Sequence, residues 1–337
     1  MRRSRFILAP IAGLAAAAAL TACGSGSDDP AADGEISVVT AFYPLAFATE
    51  RVGGDHVSVT NLTPAGQEPH DLELAPSDIA AIEEADYVVY LKGFIPELDA
   101  AVEEYAADKS LDVLTAVDTI GYDSTQVFED DHAADEHADE HAEEPTEAES
   151  EAEDEHEHEE LEGTDLHVWL DPMRYGQIAT AIGDGLAGLD DTAKADYTAN
   201  AEALAADLTD LDAEFTDGLA ARTSDAIVTS HAAFGYLADR YGLTQVAISG
   251  LSPDQEPDSQ RMAEVAHYVE ENGVTTIFFE TLVAPDIADT LAAETGARTA
   301  VLNPLEGLTQ EQADAGEDYF TVMRENLATL QTALGAA

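Results

Sequence analysis

Residues 191–222 read DTAKADYTANAEALAADLTDLDAEFTDGLAAR. The apolar positions Ala193, Tyr197, Ala201, Leu204, Leu208, Leu211, Phe215 and Leu219 recur at helical spacing, with no proline and with Gly218 only near the end. One unbroken helix over this stretch would span roughly 48 Å at the standard rise. That is long for a globular helix, and it lies between two halves that each alternate strand-like and helix-like segments. A helix of this length joins its flanks as a stiff connector, unlike a Gly/Ser hinge. The expected fold is therefore α/β, with two parallel-sheet lobes joined by a long rigid helix and a cleft between them.

On the N-terminal side, strand-like runs at 36–41, 56–62, 87–91 and 111–114 alternate with helical spacing over 42–51, 76–85 and 95–107. A further helix opens at Pro172 and reaches Leu189. On the C-terminal side, strands are expected at 226–229, 245–248, 274–279 and 298–302. Helices are expected at 232–241, 258–272 and 286–295, with a closing helix at 311–334. Alternation of this kind argues for parallel sheets. The domain reading is an N-terminal lobe over 35–190, the linking helix over 191–222 and a C-terminal lobe over 223–337.

The chain opens with Met1-Arg2-Arg3-Ser4-Arg5, an apolar run from Phe6 to Leu20, and Leu20-Thr21-Ala22-Cys23. A basic start, a short apolar run and small residues before a cut describe a secretory signal peptide over 1–22, too short for a stable span. The box before Cys23 resembles a bacterial lipobox, so Cys23 is expected to carry lipid and residues 23–34 to act as a tether. The ordinary alternative is an incidental cysteine after an ordinary signal. Cys23 is the only cysteine, which excludes an intramolecular disulfide and a cysteine-based zinc site. Formal charge is −57. Such an acidic chain lacks the clustered Lys and Arg that nucleic-acid binding requires.

Within the first lobe, residues 129–162 hold nineteen acidic residues and five histidines, His132, His137, His141, His156 and His158, with no Lys or Arg. Such a run cannot bury a core and is expected to be a disordered insert. Its histidines are candidate auxiliary metal ligands; the plain alternative is a solvated loop. The insert runs into Thr164-Asp165-Leu166-His167-Val168-Trp169-Leu170-Asp171-Pro172, a compact apolar segment with one histidine.

The remaining candidate ligands follow strands. His70 follows the second strand, and His231 and Glu280 end strands of the other lobe. Ligands of open α/β sheets bind at the carboxyl ends of strands. If the lobes face each other, His70 and His167 come from one wall and His231 and Glu280 from the other. Three imidazoles and a carboxylate suit Zn2+, with Mn2+ second. On the residues alone each has a bland reading: a turn residue, a core histidine beside Trp169, a helix cap, a lone acid after a strand. Asp71, Glu68 and Asp171 are candidates to hold ligand imidazoles from behind. His56 and His267 read as surface residues.

Several motifs together resemble the metal-binding receptors of zinc and manganese ABC importers, the ZnuA/AdcA/TroA family. They are Gly66-Gln67-Glu68-Pro69-His70-Asp71-Leu72-Glu73-Leu74, Asp86 to Gly93 with Glu97, and Asp165 to Pro172. To these add Tyr197 and Asn200, Ser230-His231-Ala232-Ala233-Phe234-Gly235-Tyr236 with Tyr241-Gly242-Leu243, Ile277-Phe278-Phe279-Glu280, and Leu302-Asn303-Pro304-Leu305-Glu306-Gly307-Leu308. The likeness covers roughly residues 35 to 335, interrupted by the charged insert. It implies a zinc-binding receptor, with a permease and its ATPase as partners. The chain is expected to be a monomer held by lipid on Cys23 at the outer face of a bacterial cell membrane. The resemblance also implies ligands at His70, His167, His231 and Glu280. Family members specific for manganese place a carboxylate where His231 stands, so the resemblance favours zinc. The chain is not expected to be an enzyme. One rival is a surface metal buffer or adhesin. A secreted zinc hydrolase is another, although no His-Glu-x-x-His or Gly-x-Ser-x-Gly occurs.

Overall fold

The computed structural model describes residues 35–122 and 163–336. The signal segment, Cys23, the tether and the insert with His132, His137, His141, His156 and His158 lie outside the described residues. The first lobe contains β1 (Ile36–Thr40), α1 (Tyr43–Gly53), β2 (Val57–Asn61), α2 (Pro76–Glu84), β3 (Tyr87–Tyr90), α3 (Pro96–Tyr105), β4 (Ser110–Asp112) and α4 (Pro172–Leu189). The long helix α5 runs from Lys194 to Leu219. The second lobe contains β5 (Ala226–Thr229), α6 (Gly235–Tyr241), β6 (Thr244–Ala247), α7 (Ser259–Glu271), β7 (Thr276–Phe279), α8 (Asp286–Thr295), β8 (Arg298–Val301), α9 (Gln310–Ala315) and α10 (Tyr319–Ala333).

Both sheets are four-stranded and parallel, ordered β2-β1-β3-β4 and β6-β5-β7-β8. In each, the strand order reverses beside the first strand, the place where open α/β sheets bind ligands. Short apolar runs such as Val38-Val39 and Tyr87-Val88-Val89 are buried, as expected for strands covered on both faces.

The helix α5 buries Tyr197, Ala201, Leu204, Leu208, Leu211, Phe215 and Leu219, the same stripe that the sequence spacing marks. At 26 residues it is about 39 Å long. It is no bare rod. Along α4 it packs closely enough that a Cβ added at Gly183 would meet the Cβ of Ala201 at 3.2 Å. It also bonds to both lobes: Asn200 donates to the carbonyl of Val52, and Arg240 pairs with Asp212 at 2.7 Å. One apolar core runs from the first sheet through α4, α5 and α6 to α10, and a smaller one lies beneath α7 and α8.

Local chemistry moves three expected boundaries. Asp112 ends β4 early, because its side chain accepts from the Leu114 N–H and caps a short 3-10 turn over Val113–Ala116. The helix after β5 begins at Gly235 rather than Ala232, because 230–234 form a buried bend around His231. The expected closing helix is two helices, since Gly316 takes φ +73° and Asp318 recaps the chain by accepting from Thr321 N–H. The second of these, α10, reaches back to the first lobe: Tyr319 Oη donates to the carbonyl of Trp169 at 2.7 Å. Among the described residues, no helix is long and apolar enough to cross a membrane.

Candidate metal site

His70 sits in a 3-10 turn, Pro69–Asp71, that follows β2, and the Glu68 side chain caps this turn by accepting from the His70 N–H. His167 immediately precedes another such turn, Val168–Leu170, whose Trp169 is wholly buried. His231 lies two residues beyond β5, and Glu306 lies in the loop after β8. Their side chains converge from both lobes.

The donor atoms of His70, His167, His231 and Glu306 all lie within 4.8 Å of one another. Glu306 Oε1 is 3.1 Å from Nε2 of His167, 3.1 Å from Nε2 of His231 and 3.7 Å from Nε2 of His70. The Nε2 atoms of His167 and His231 are 3.4 Å apart. Four ligands placed about 2.0–2.1 Å from a tetrahedral zinc stand roughly 3.3–3.4 Å from one another. The three edges among His167, His231 and Glu306 are close to those of a tetrahedral site, and His70 stands 3.7 Å from Glu306. His167, His231 and Glu306 are buried, and the His70 side chain is 12% exposed. His70 Nε2 and Glu306 Oε2 are buried without a hydrogen-bond partner among the described residues, an arrangement that an incoming cation would satisfy.

Each of two imidazoles has a carboxylate behind it. Asp165 Oδ1 accepts from both the backbone N–H and Nδ1 of His167, at 2.9 and 2.8 Å. Glu280 Oε1 accepts from Nδ1 of His231 at 2.6 Å. A proton held on Nδ1 leaves Nε2 as the metal-facing atom. His70 lies against the Phe94 ring, with centroids 4.2 Å apart, and Phe94, Phe42 and Trp169 form the apolar wall behind it.

The electrostatics of the cluster are reciprocal. Burial pushes both His167 and His231 towards the neutral form, but the facing carboxylates win. Asp165 and Glu306 raise the His167 pKa, and Glu280 and Glu306 raise that of His231 well above the ordinary range. Burial pushes Glu306 up, yet the charge of His231 and hydrogen bonds from His167 and His231, with the His70 imidazole close by, hold it well below the usual carboxylate range. Glu68 sits beside Glu306; burial first, then that neighbouring charge, pushes its pKa up to about 9.

The structure departs from the sequence expectation at the fourth position. Glu280, expected to complete the ligand set, stands one hydrogen bond further out, and Glu306 supplies the convergent carboxylate. Strand register explains the placement. Thr229 of β5 pairs with Phe278 of β7, and carrying that register two residues on sets His231 beside Glu280 within the same wall. The carboxylates expected behind the ligands also differ. Asp171 instead caps α4, accepting from Met173 N–H, and pairs with Arg174. The Asp71 side chain faces Asp254, and Glu68 touches the His70 backbone rather than its ring. Asp165, two residues before His167, fills the role; Asp-x-His in an apolar run was its only sequence signal. His56 and His267 lie at the surface beside Asp196 and Glu271.

The family profile of ZnuA, the zinc-uptake complex component A, periplasmic, matches residues 38–333. The chain belongs to this family. The high-affinity zinc uptake system protein ZnuA of Bacillus subtilis is 36% identical over 318 residues, 94% of this chain and 93% of that protein. The zinc-binding lipoprotein AdcA of Streptococcus pneumoniae is 37% identical over 93% of this chain. The chain spans 58% of the length of AdcA. The crystal structure of the Zn(II)-bound ZnuA-like domain of that AdcA superposes with a TM-score of 0.68 at 34% identity, covering 89% of this chain and 99% of that one. The two-lobed architecture is thus the family fold.

Proposed function

We propose that this chain is the zinc receptor of an ABC importer, capturing Zn2+ between its lobes and delivering it to a membrane permease driven by an ATPase. The carrying observation is the convergence of His70, His167, His231 and Glu306 from opposite lobes, with ligand atoms within 4.8 Å of one another. Zinc-binding relatives of the family support the same reading. In this reading Zn2+ is cargo. Its arrival displaces the protons on Nε2 of the imidazoles, while Asp165 and Glu280 keep the Nδ1 protons in place. A fourth protein ligand closes the site, whereas hydrolytic zinc keeps a position open for water. The receptor acts outside the cytoplasm, tethered by lipid on Cys23, as a monomer, and the histidines of 129–162 serve an auxiliary role.

The test is metal content and chelator competition on residues 24–337, beside His231→Ala and a deletion of 129–162. One tightly held zinc, lost in His231→Ala and kept in the deletion, is expected. Tight zinc lost only with the deletion would move the site to the insert. A second reading has its own observation: a laminin-binding protein of Streptococcus agalactiae, described as a bifunctional adhesin with metal-transporting activity, superposes with a TM-score of 0.70 at 30% identity, covering 89% of this chain and 99% of that one. Saturable laminin binding by zinc-loaded protein would add adhesion to transport.

A further inference from the structure

Glu306 reaches the cluster from an irregular loop, and the loop is held in an unusual way. Leu305, just before it, has φ +58°, the only non-glycine with positive φ among the described residues. A branched side chain takes that conformation only when its surroundings impose it. Leu305 is fully buried, so the turn cannot relax by swinging outward. The restraints lie in a chain of hydrogen bonds. Asn326, buried on α10, accepts from the Asn303 N–H at 2.8 Å and donates to the Asn303 carbonyl at 2.7 Å. Asn303 Oδ1 then accepts from the Leu305 N–H at 2.8 Å. Between them, the Pro304 carbonyl accepts from Trp169 Nε1 at 2.8 Å, which ties the loop to the other lobe. Every residue from 303 to 306 is thus bonded or buried on a fixed partner.

We propose that Asn326 and Asn303 are positioning residues for zinc capture: they clamp the loop in its left-handed turn, so that Glu306 Oε1 is presented at the common vertex of the three imidazoles. Among the described residues, neither side chain hydrogen-bonds to the cluster. Asn326 acts from twenty residues downstream, through the backbone of Asn303 and the turn at Leu305. A buried asparagine that spends both its donor and its acceptor on one backbone unit fixes position more sharply than packing alone. The proposal rests on Glu306 being a ligand, and its test separates the two claims.

The experiment is a double-mutant cycle on zinc affinity and dissociation rate, using Asn326→Leu, Glu306→Gln and the pair, with Asn303→Ala as a second entry into the same clamp should Asn326→Leu fail to fold. The expected result is a 10- to 100-fold weaker affinity for the clamp variant, the range seen when support behind a metal ligand is removed, carried mostly by faster release. In the Glu306→Gln background the same substitution should cost no more than about twofold, because the group it positions is already changed. Equal losses in both backgrounds, or no loss in either, would overturn the clamp. If Glu306→Gln alone leaves affinity unchanged, the ligand assignment itself fails, and the clamp with it.

Discussion

Glu280 and Glu306 offer the sharpest contrast, because both are buried carboxylates within reach of His231 and only one faces the other imidazoles. Glu280→Gln keeps the size and one acceptor oxygen but removes the charge behind Nδ1 of His231. The bond it weakens is short, 2.6 Å, and charge-assisted. Losing such support behind a metal ligand costs about 10- to 100-fold in affinity, or about 1.4–2.7 kcal/mol. Glu306→Gln removes a charge in contact with two imidazoles at 3.1 Å each, and its loss should exceed that of Glu280→Gln by at least about tenfold. Competition against a fluorescent zinc chelator at neutral pH measures both variants side by side. Zinc-edge X-ray absorption then counts oxygen ligands: one is retained in Glu280→Gln. If Glu280→Gln proves the more damaging of the two, or loses the oxygen ligand, the reasoning from strand register is wrong.

Other outcomes follow from the same contacts. Since carboxylates raise the pKa values of His167 and His231, the metal-free site holds protons that zinc must displace, so affinity falls with decreasing pH, starting above the ordinary imidazole value of about 6.5. The sign for stability is opposite without metal: the protonated imidazoles stabilise the fold fully below the unfolded value, and this is lost as pH rises through the raised folded one. The melting shift on adding zinc should therefore grow with pH; a flat profile from pH 5 to 8 would contradict the protonated cluster. Gly235→Ala places a Cβ against Asp165 Oδ2, so the carboxylate behind His167 must shift, and zinc affinity should drop by about tenfold as read by chelator competition. Leu208→Ala in the buried stripe of α5 should cost about 2–5 kcal/mol in denaturant unfolding while sparing zinc affinity in the folded protein.

How much the sequence reveals depends on whether a residue is governed by local periodicity. The strands, the apolar stripe of α5 and the position of His231 just past a strand end all follow from spacing, which local sterics and burial enforce. Pro172 at the first position of α4 and the run to Leu189 were likewise legible to the residue. Glu306 was not, because its loop has no period and its path is set by Asn326 and Trp169, far away in sequence. Glu280 drew attention as the acid at a strand end. Only the pairing of β5 with β7 reveals that it stands beside His231 rather than across from it. The break at Gly316 was written in the sequence, but the apolar spacing on either side masks it until Asp318 is seen capping α10.

Zinc-edge anomalous diffraction from crystals of the zinc-loaded protein tests directly whether a single zinc is shared between the lobes. The predicted result is one strong peak within about 2.0–2.2 Å of Nε2 of His70, His167 and His231 and of one oxygen of Glu306, with Glu280 still bonded to Nδ1 of His231. A peak coordinated by Glu280 in place of Glu306, or one lying outside the cleft, would contradict it.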